Sequence, residues 1–180
     1  MRIISGTHKG KRIHAPKKLP ARPTTDIAKE ALFNILNNNY YLSEIKVLDL
    51  FSGTGNISFE FASRGTPEVI AVDRDPKSAS FISKTVAELG FPIVVFKSDS
   101  LKFLQKTTES FDLIFADPPY QMELEDFRMI PTTVFERKLL NEGGMLIIEH
   151  SKHTDLSQLE YYKESRRYGG SVFSFFEDAN

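Results

Sequence analysis

Five short apolar runs punctuate the chain, at residues 45–50, 69–72, 93–96, 111–116 and 145–149. Each is too short for a buried helix and reads as a strand covered on both faces. Between them apolar positions recur at helical spacing. Ala28, Ala31, Leu32, Ile35 and Leu36 form one stripe. Thr25 or Asp26 is placed to cap that helix, and the asparagines at 37–39 to end it. A second helix runs through Phe59 and Ala62 to about residue 64. A third opens at Pro76, carries Ala79, Ile82, Val86 and Leu89 on one face, and stops at Gly90. Shorter helical stretches are predicted near 101–105 and 132–140. Residues 2–4 and 11–13 predict a small hairpin at the start. Residues 159–167 and 171–176 predict an antiparallel hairpin across Gly169 and Gly170 at the end. Strands alternating with helices imply an α/β fold with a mostly parallel sheet covered on both sides. Residues 1–25 read as a basic hairpin and connector, and 26–180 as the main domain.

In such sheets ligands bind outside the carboxyl ends of the strands. The polar punctuation falls at those ends. Ser52-Gly53-Thr54-Gly55 follows a strand and opens a helix, and its glycines permit a sharp turn and close backbone approach. Serine at 58 breaks the three-glycine dinucleotide fingerprint, and no Gly-Lys-Ser/Thr follows to make a P-loop. Asp49 beside the loop disfavours a pyrophosphate and suits a ligand with a positive centre or an amino group. Asp73 is placed to accept both hydroxyls of a ribose. Asp99, or the Ser100 backbone beside it, suits the exocyclic amine of adenine, or else Asp99 caps the next helix. Phe51, the Arg74 stem and Leu101 are placed to sandwich the ring. With no phosphate cradle, S-adenosylmethionine is preferred as cofactor to a nicotinamide dinucleotide.

Asp117-Pro118-Pro119-Tyr120 is the sharpest feature. The Asp117 carboxylate and the Pro118 carbonyl are acceptors on a stiff frame, since proline has no N–H to donate. An amino group on a planar base has two protons to give them. Holding both orients the nitrogen toward a sulfonium methyl. Tyr120 offers a ring on which the base stacks. The catalytic candidates are therefore Asp117, Pro118 and Tyr120.

Composition narrows the setting. Apolar residues are 41% and charged residues 26%, ordinary for a soluble globular protein. No apolar run approaches the roughly 18 residues of a membrane span. The opening MRIISGTHKGKR has no apolar core before a small-residue cleavage site, so no secretory leader is expected. The absence of cysteine excludes disulfides, thiolate nucleophiles and cysteine zinc sites, and suits a reducing compartment such as the cytoplasm. With only four histidines, no metal site is expected. The net charge of -1 hides an asymmetry: the first thirty residues carry eight basic and two acidic side chains, the rest fifteen and twenty-two. A positive end beside an acidic body implies a polyanion met over a limited area. Prolines and glycines in that end break any long amphipathic helix, so nucleic acid is favoured over a membrane. Lys9, Lys11, Arg12, Lys17, Lys18 and Arg22 are the candidate phosphate contacts. Nothing demands more than a monomer.

These residues together resemble the bacterial small-subunit (16S) ribosomal RNA guanine-N2 methyltransferases. The resemblance is carried, in order, by Gly6-Thr7-His8-Lys9-Gly10-Lys11, Arg22-Pro23-Thr24-Thr25-Asp26, Leu48-Asp49-Leu50-Phe51-Ser52-Gly53-Thr54-Gly55, Glu60, Asp73, Asp99 and Asp117-Pro118-Pro119-Tyr120. It implies a Rossmann-like class I methyltransferase fold of seven strands, the last antiparallel. It implies a methyl-donor pocket at Phe51, Gly53, Gly55, Asp73, Asp99 and Asp117, with Arg22 and Thr24 as a lid. It implies 16S rRNA, within the small ribosomal subunit or its assembly intermediate, as substrate. Asn56 and Ser58 stand where the family more often has smaller residues. An adenine-N6 methyltransferase of DNA or RNA shares the chemistry of the Asp-Pro-Pro-Tyr turn, and a non-catalytic nucleoside- or RNA-binding protein shares the groove.

Overall fold

The structure, a computed structural model, describes residues 1–20 and 24–179. In chain order the elements are α1 (Asp26–Asn39), β1 (Lys46–Leu50), α2 (Asn56–Ser63), β2 (Glu68–Asp73), α3 (Pro76–Leu89), β3 (Ile93–Lys97), α4 (Ser100–Lys106), β4 (Phe111–Ala116), α5 (Leu124–Glu136), β5 (Leu140–Ser151), β6 (Tyr162–Tyr168) and β7 (Ser171–Phe176). One sheet holds all seven strands in the order β3-β2-β1-β4-β5-β7-β6. The strands β1 to β5 are parallel, and β7 runs antiparallel to both its neighbours.

Strand residues alternate between two cores, as the pleat requires. Val47, Val69, Ala71, Leu113 and Phe115 join a layer built with α1, α2 and α3. Leu48, Ile70, Val72, Ile114 and Ala116 join one built with α4 and α5. Asp49 shares its pleat face with Val47, which aims it at α2. The helix starts follow local chemistry. Thr25 Oγ1 accepts the Ala28 N–H at 3.2 Å, and Asp75 Oδ1 accepts the Ser78 N–H at 2.8 Å ahead of Pro76. Gly90, in the left-handed region at φ 66°, ends α3.

Three predicted elements shift. The helix expected near 132–140 lies at Leu124–Glu136 and carries Pro131 in its interior, and Lys138 at φ 53° turns the chain out of it. β5 starts at Leu140 rather than 145, because a register shift between Phe111 and Leu113 of β4 absorbs the Gly143-Gly144 segment. β6 starts at Tyr162 rather than 159, after Tyr161 at φ 67°, while Leu156 and Leu159 are buried in the α4–α5 core.

The N-terminal hairpin is short. A single antiparallel bridge pairs Arg2 with Arg12, flanked by Ile3 N–H to the Lys11 carbonyl at 3.0 Å and Gly10 N–H to the Ile3 carbonyl at 2.8 Å. Ile3 and Ile13 are buried in the α1–α3 core. Gly6 sits so close to α2 that a Cβ would lie 1.8 Å from the Ser63 carbonyl oxygen. Among the described residues no helix is long and apolar enough to cross a membrane, and no cluster of His, Asp and Glu is arranged to hold a metal ion.

Candidate active site

Between β1 and β4 the chain order reverses, which opens a crevice at the carboxyl edge of a parallel sheet. Leu50 pairs with Ala116, and the Asp117 N–H donates to the Leu50 carbonyl at 3.3 Å. The loops leaving these two strands therefore start side by side. They line one cleft of about 940 Å³, together with Asp73–Pro76, Asp99–Leu101 and the N-terminal residues Leu19, Pro20 and Thr24.

The loop after β1 is held by partners distant in sequence. Phe51 adopts φ 56°, a strained conformation for a non-glycine residue, and its N–H donates to Ser100 Oγ at 3.1 Å. Gly53, also at φ 56°, donates its N–H to Asp73 Oδ2 at 2.8 Å. Asp73 Oδ1 accepts the Asp75 N–H at 2.8 Å. Each carboxylate oxygen has a second lone pair for a ligand hydroxyl. Gly55 is off the cleft wall: at φ 81° it caps α2, and a Cβ there would press on the Phe59 ring at 2.7 Å. The left-handed cap and the Phe59 ring both require glycine here. Asp99 both lines the cleft and caps α4, accepting the Lys102 N–H at 3.0 Å. Phe51, Arg74 and Leu101 share that end of the cleft.

Asp49 lies at the floor, 1% exposed, with Ser58 Oγ donating to its Oδ2 at 2.6 Å. Burial pushes its carboxyl up to about 7, against the hydrogen bonds from Ser58 and with a smaller push from the Asp73 charge. Opposite, Asp117 and Tyr120 are half-buried, Pro118 is buried and Pro119 exposed. The Met122 N–H donates to the Pro119 carbonyl at 3.0 Å and closes the turn.

A buried polar network that pattern reading misses joins this cleft to the N-terminal arm. Lys29 is fully buried on the inner face of α1. Its Nζ donates to the Arg2 carbonyl at 2.6 Å and to Asn56 Oδ1 at 2.8 Å, and pairs with Glu60 Oε2 at 3.1 Å. Burial pulls its ammonium below the ordinary lysine range, and the Glu60 carboxylate opposes that. Glu60 also accepts the backbone N–H groups of Ile4 at 3.0 Å and Ser5 at 3.1 Å, and Nε of Arg64 at 2.9 Å. Asn56 Nδ2 donates to the Thr24 carbonyl at 3.2 Å, and Thr24 Oγ1 to the buried Glu149 Oε2 at 2.8 Å. Glu60 and Thr24 stand among the residues that carry the family resemblance, whereas Lys29 shows in the sequence only as a lysine in register with Leu32, Phe33 and Leu36. Lys9, Lys11, Arg12, Lys17 and Lys18 are all exposed. Arg22, expected in the lid, lies outside the described residues.

A seven-stranded sheet of this order, with its final strand reversed and a cleft at the β1–β4 switch, is the class I methyltransferase fold. The chain belongs to the family described as conserved hypothetical protein 95, whose model matches residues 1–177. It is 34% identical over 163 residues to the "Putative rRNA methyltransferase YlbH" of Bacillus subtilis, covering 88% of this chain and 86% of that one. It is 33% identical over 150 residues to ribosomal RNA small subunit methyltransferase D of Buchnera aphidicola subsp. Baizongia pistaciae, covering 83% and 75%. The solved structure of hypothetical protein TTHA0928 from Thermus thermophilus superposes with a TM-score of 0.84 at 28% identity, covering 98% of this chain and 99% of that one.

The cleft residues fit S-adenosylmethionine. Asp49, Asp73 and Asp99 bring carboxylates to one cleft with the Phe51 and Leu101 side chains and the Gly53 backbone, a lining that suits a cationic nucleoside. Among the described residues no lysine lines the cleft to cradle a pyrophosphate.

Proposed function

We propose that this protein methylates the exocyclic N2 amine of a guanine in 16S ribosomal RNA, using S-adenosylmethionine. The observation that carries this reading is the pairing of Leu50 with Ala116, which sets the Gly53 loop and the Asp117 turn on one cleft. The names of the Bacillus and Buchnera relatives supply the RNA substrate, and the resemblance of the ordered motifs supplies the guanine N2 atom.

When bound, the donor supplies an electrophilic methyl on a positively charged sulfur, which leaves as a neutral thioether. The residues of this chain position the acceptor. The Asp117 carboxylate and the Pro118 carbonyl accept hydrogen bonds from the two amine N–H groups and point the nitrogen lone pair toward the donor. The new N–C bond forms as the C–S bond breaks, and the sulfur keeps the bonding pair. The surplus amine proton leaves afterwards to Asp117 or to water. The Tyr120 ring holds the base, turned out of its stack at low cost in a loop. Catalysis here is proximity and preset dipoles. Thr24, fixed by Glu149, is the described residue of the lid expected to touch donor or target. Lys9, Lys11, Arg12, Lys17 and Lys18 contact phosphates and position the RNA without reading its sequence. Residues 1–25 act as this RNA-facing extension and 26–180 as the catalytic domain.

The test is mass-spectrometric mapping of methylated nucleotides in small-subunit rRNA with and without the protein. N2-methylguanine at one site is expected. Label found only in adenine would overturn the guanine assignment. Asp117→Ala should lower kcat by about 10²–10³-fold, as loss of a preorganised polar group does. A parent protein that transfers no methyl to small subunits, naked rRNA or DNA would make the groove a binding site only.

A further inference from the structure

We infer that a second groove, between residues 16–19 and α3, is a subsite for a nucleotide next to the target base on the same RNA strand. The inference rests on the proposed RNA substrate and extends it. The groove has a volume of about 450 Å³ and adjoins the donor cleft, because Leu19 and Pro76 line both. Lys77, Phe81 and Lys84 are spaced by four and three residues, so α3 presents them on one face. Pro16, Lys18 and Leu19 form the opposite wall.

Two features select the occupant. Phe81 is half-buried: it packs against the α1–α3 core and also lines the groove, so the floor is apolar and held in place. Around it stand Lys18, Lys77 and Lys84, all exposed. Among the described residues none of the three makes an ion pair, and no carboxylate lines the groove. In a chain whose body is acidic, three lysines around an aromatic floor complement a flat base carrying a phosphate. A strand that places its target base over Tyr120 must leave the cleft across one of its rims, and this rim carries three exposed lysines. Lys18 alone is visible in the sequence as a basic residue of the N-terminal end. Lys77 and Lys84 belong to the acidic body and join it only in the folded chain.

The experiment compares the parent with Lys77→Glu/Lys84→Glu, neither position lining the donor cleft. With small subunits as substrate, the variant should show a KM raised at least about tenfold and a salt dependence flattened by about 0.7 in log–log slope for each phosphate no longer neutralised. Its donor affinity by calorimetry and its kcat should stay at parent values. Phe81→Leu, which keeps apolar volume but loses the flat face, should raise KM at least about fivefold. Unchanged KM and salt slope in an active Lys77→Glu/Lys84→Glu variant would overturn the subsite while leaving the proposed activity standing. A parent without transfer to rRNA would remove the activity itself, and the subsite with it. A photocrosslinker placed at Ser80, inside the groove, should join to RNA. Crosslinks only to a ribosomal protein would overturn the assignment.

Discussion

The two walls of the cleft are built by different physics. The strand-end wall, from Asp49 through Asp73 and Asp99 to the Asp117 turn, inherits its geometry from the backbone ladders of β1 to β4. Its functional side chains sit close to a strand end, and the partners of Asp73 and Asp99 are backbone N–H groups. The N-terminal wall, with Leu19, Pro20 and Thr24, contributes no strand to the sheet, and Thr24 meets it through the Glu149 side chain of β5. It is fastened by side chains: Lys29 and Glu60 at the centre, Asn56 and Glu149 reaching Thr24. A wall made from ladders tolerates loss of one side chain. A wall made from a buried ion pair does not, because removing one partner strands the other without its counter-charge.

The largest effect should therefore come from a residue far from the chemistry. Lys29→Met keeps the stem volume but leaves the buried Glu60 to its pairing with Arg64. It should destabilise the protein by about 3 kcal/mol, a fall in Tm of roughly 6–12 °C for a chain of this length. Calorimetric melting checks this. A fall no larger than that of a surface lysine substitution would mean that the N-terminal wall does not depend on the pair.

The same contrast separates what is legible in the sequence from what is not. Asp73, Asp99 and Asp117 are legible because each follows an apolar run, and a parallel sheet sends all such positions to one edge. The ends of α3 and β7 are legible because Pro76, Gly90 and the Gly169-Gly170 turn act locally. Lys29 is not, since a lysine within an apolar stripe has no meaning until Glu60, 31 residues on, is known to face it. The start of α5 escapes pattern reading: the predicted stretch begins only at residue 132, one past Pro131, while the helix begins at Leu124. Phe127, Ile130 and Val134 are all buried on its inner side, and that packing carries the helix through the proline. Gly55 reads as a ligand-facing glycine, while the group that excludes a side chain there is Phe59, four residues along the next helix.

An intermediate effect is expected where the arm meets α2. Gly6 and Gly10 share left-handed φ values of 87° and 82°. Only Gly6 faces backbone, with the Ser63 carbonyl in the place of a Cβ; at Gly10 nothing lies within 4 Å. Gly10→Ala should cost about 1 kcal/mol of conformational strain. Gly6→Ala should cost more and undock residues 4–8 from Glu60 and Ser63, which hydrogen exchange reads at the Ile4 and Ser5 amides. Its affinity for rRNA should fall while its affinity for S-adenosylmethionine holds. Equal protection of those amides in the two variants would show that the close approach to Ser63 does not hold the arm.

The last effect, read on donor affinity rather than on folding, belongs to the strand-end wall and turns on a proton. The Asp49 carboxyl titrates near 7 in the folded protein against an ordinary value of 3.8, so the folded state holds its proton more tightly than the unfolded chain does. The contribution of Asp49 to stability is full below about pH 4 and is lost as pH rises through 7. Donor binding has the opposite sign. A cationic ligand beside Asp49 favours the carboxylate, so affinity should rise from about pH 6 to about pH 8, by at most about tenfold per unit below the midpoint. Binding near neutrality should release a proton, seen as a dependence of the calorimetric heat on the ionisation enthalpy of the buffer. Asp49→Asn should abolish that dependence. Ser58→Ala removes the donor that favours the charged form and should move the midpoint upward. Donor affinity that does not vary with pH in the parent would mean that the carboxyl does not meet the charged part of the ligand, and that the cation is balanced elsewhere on the same wall.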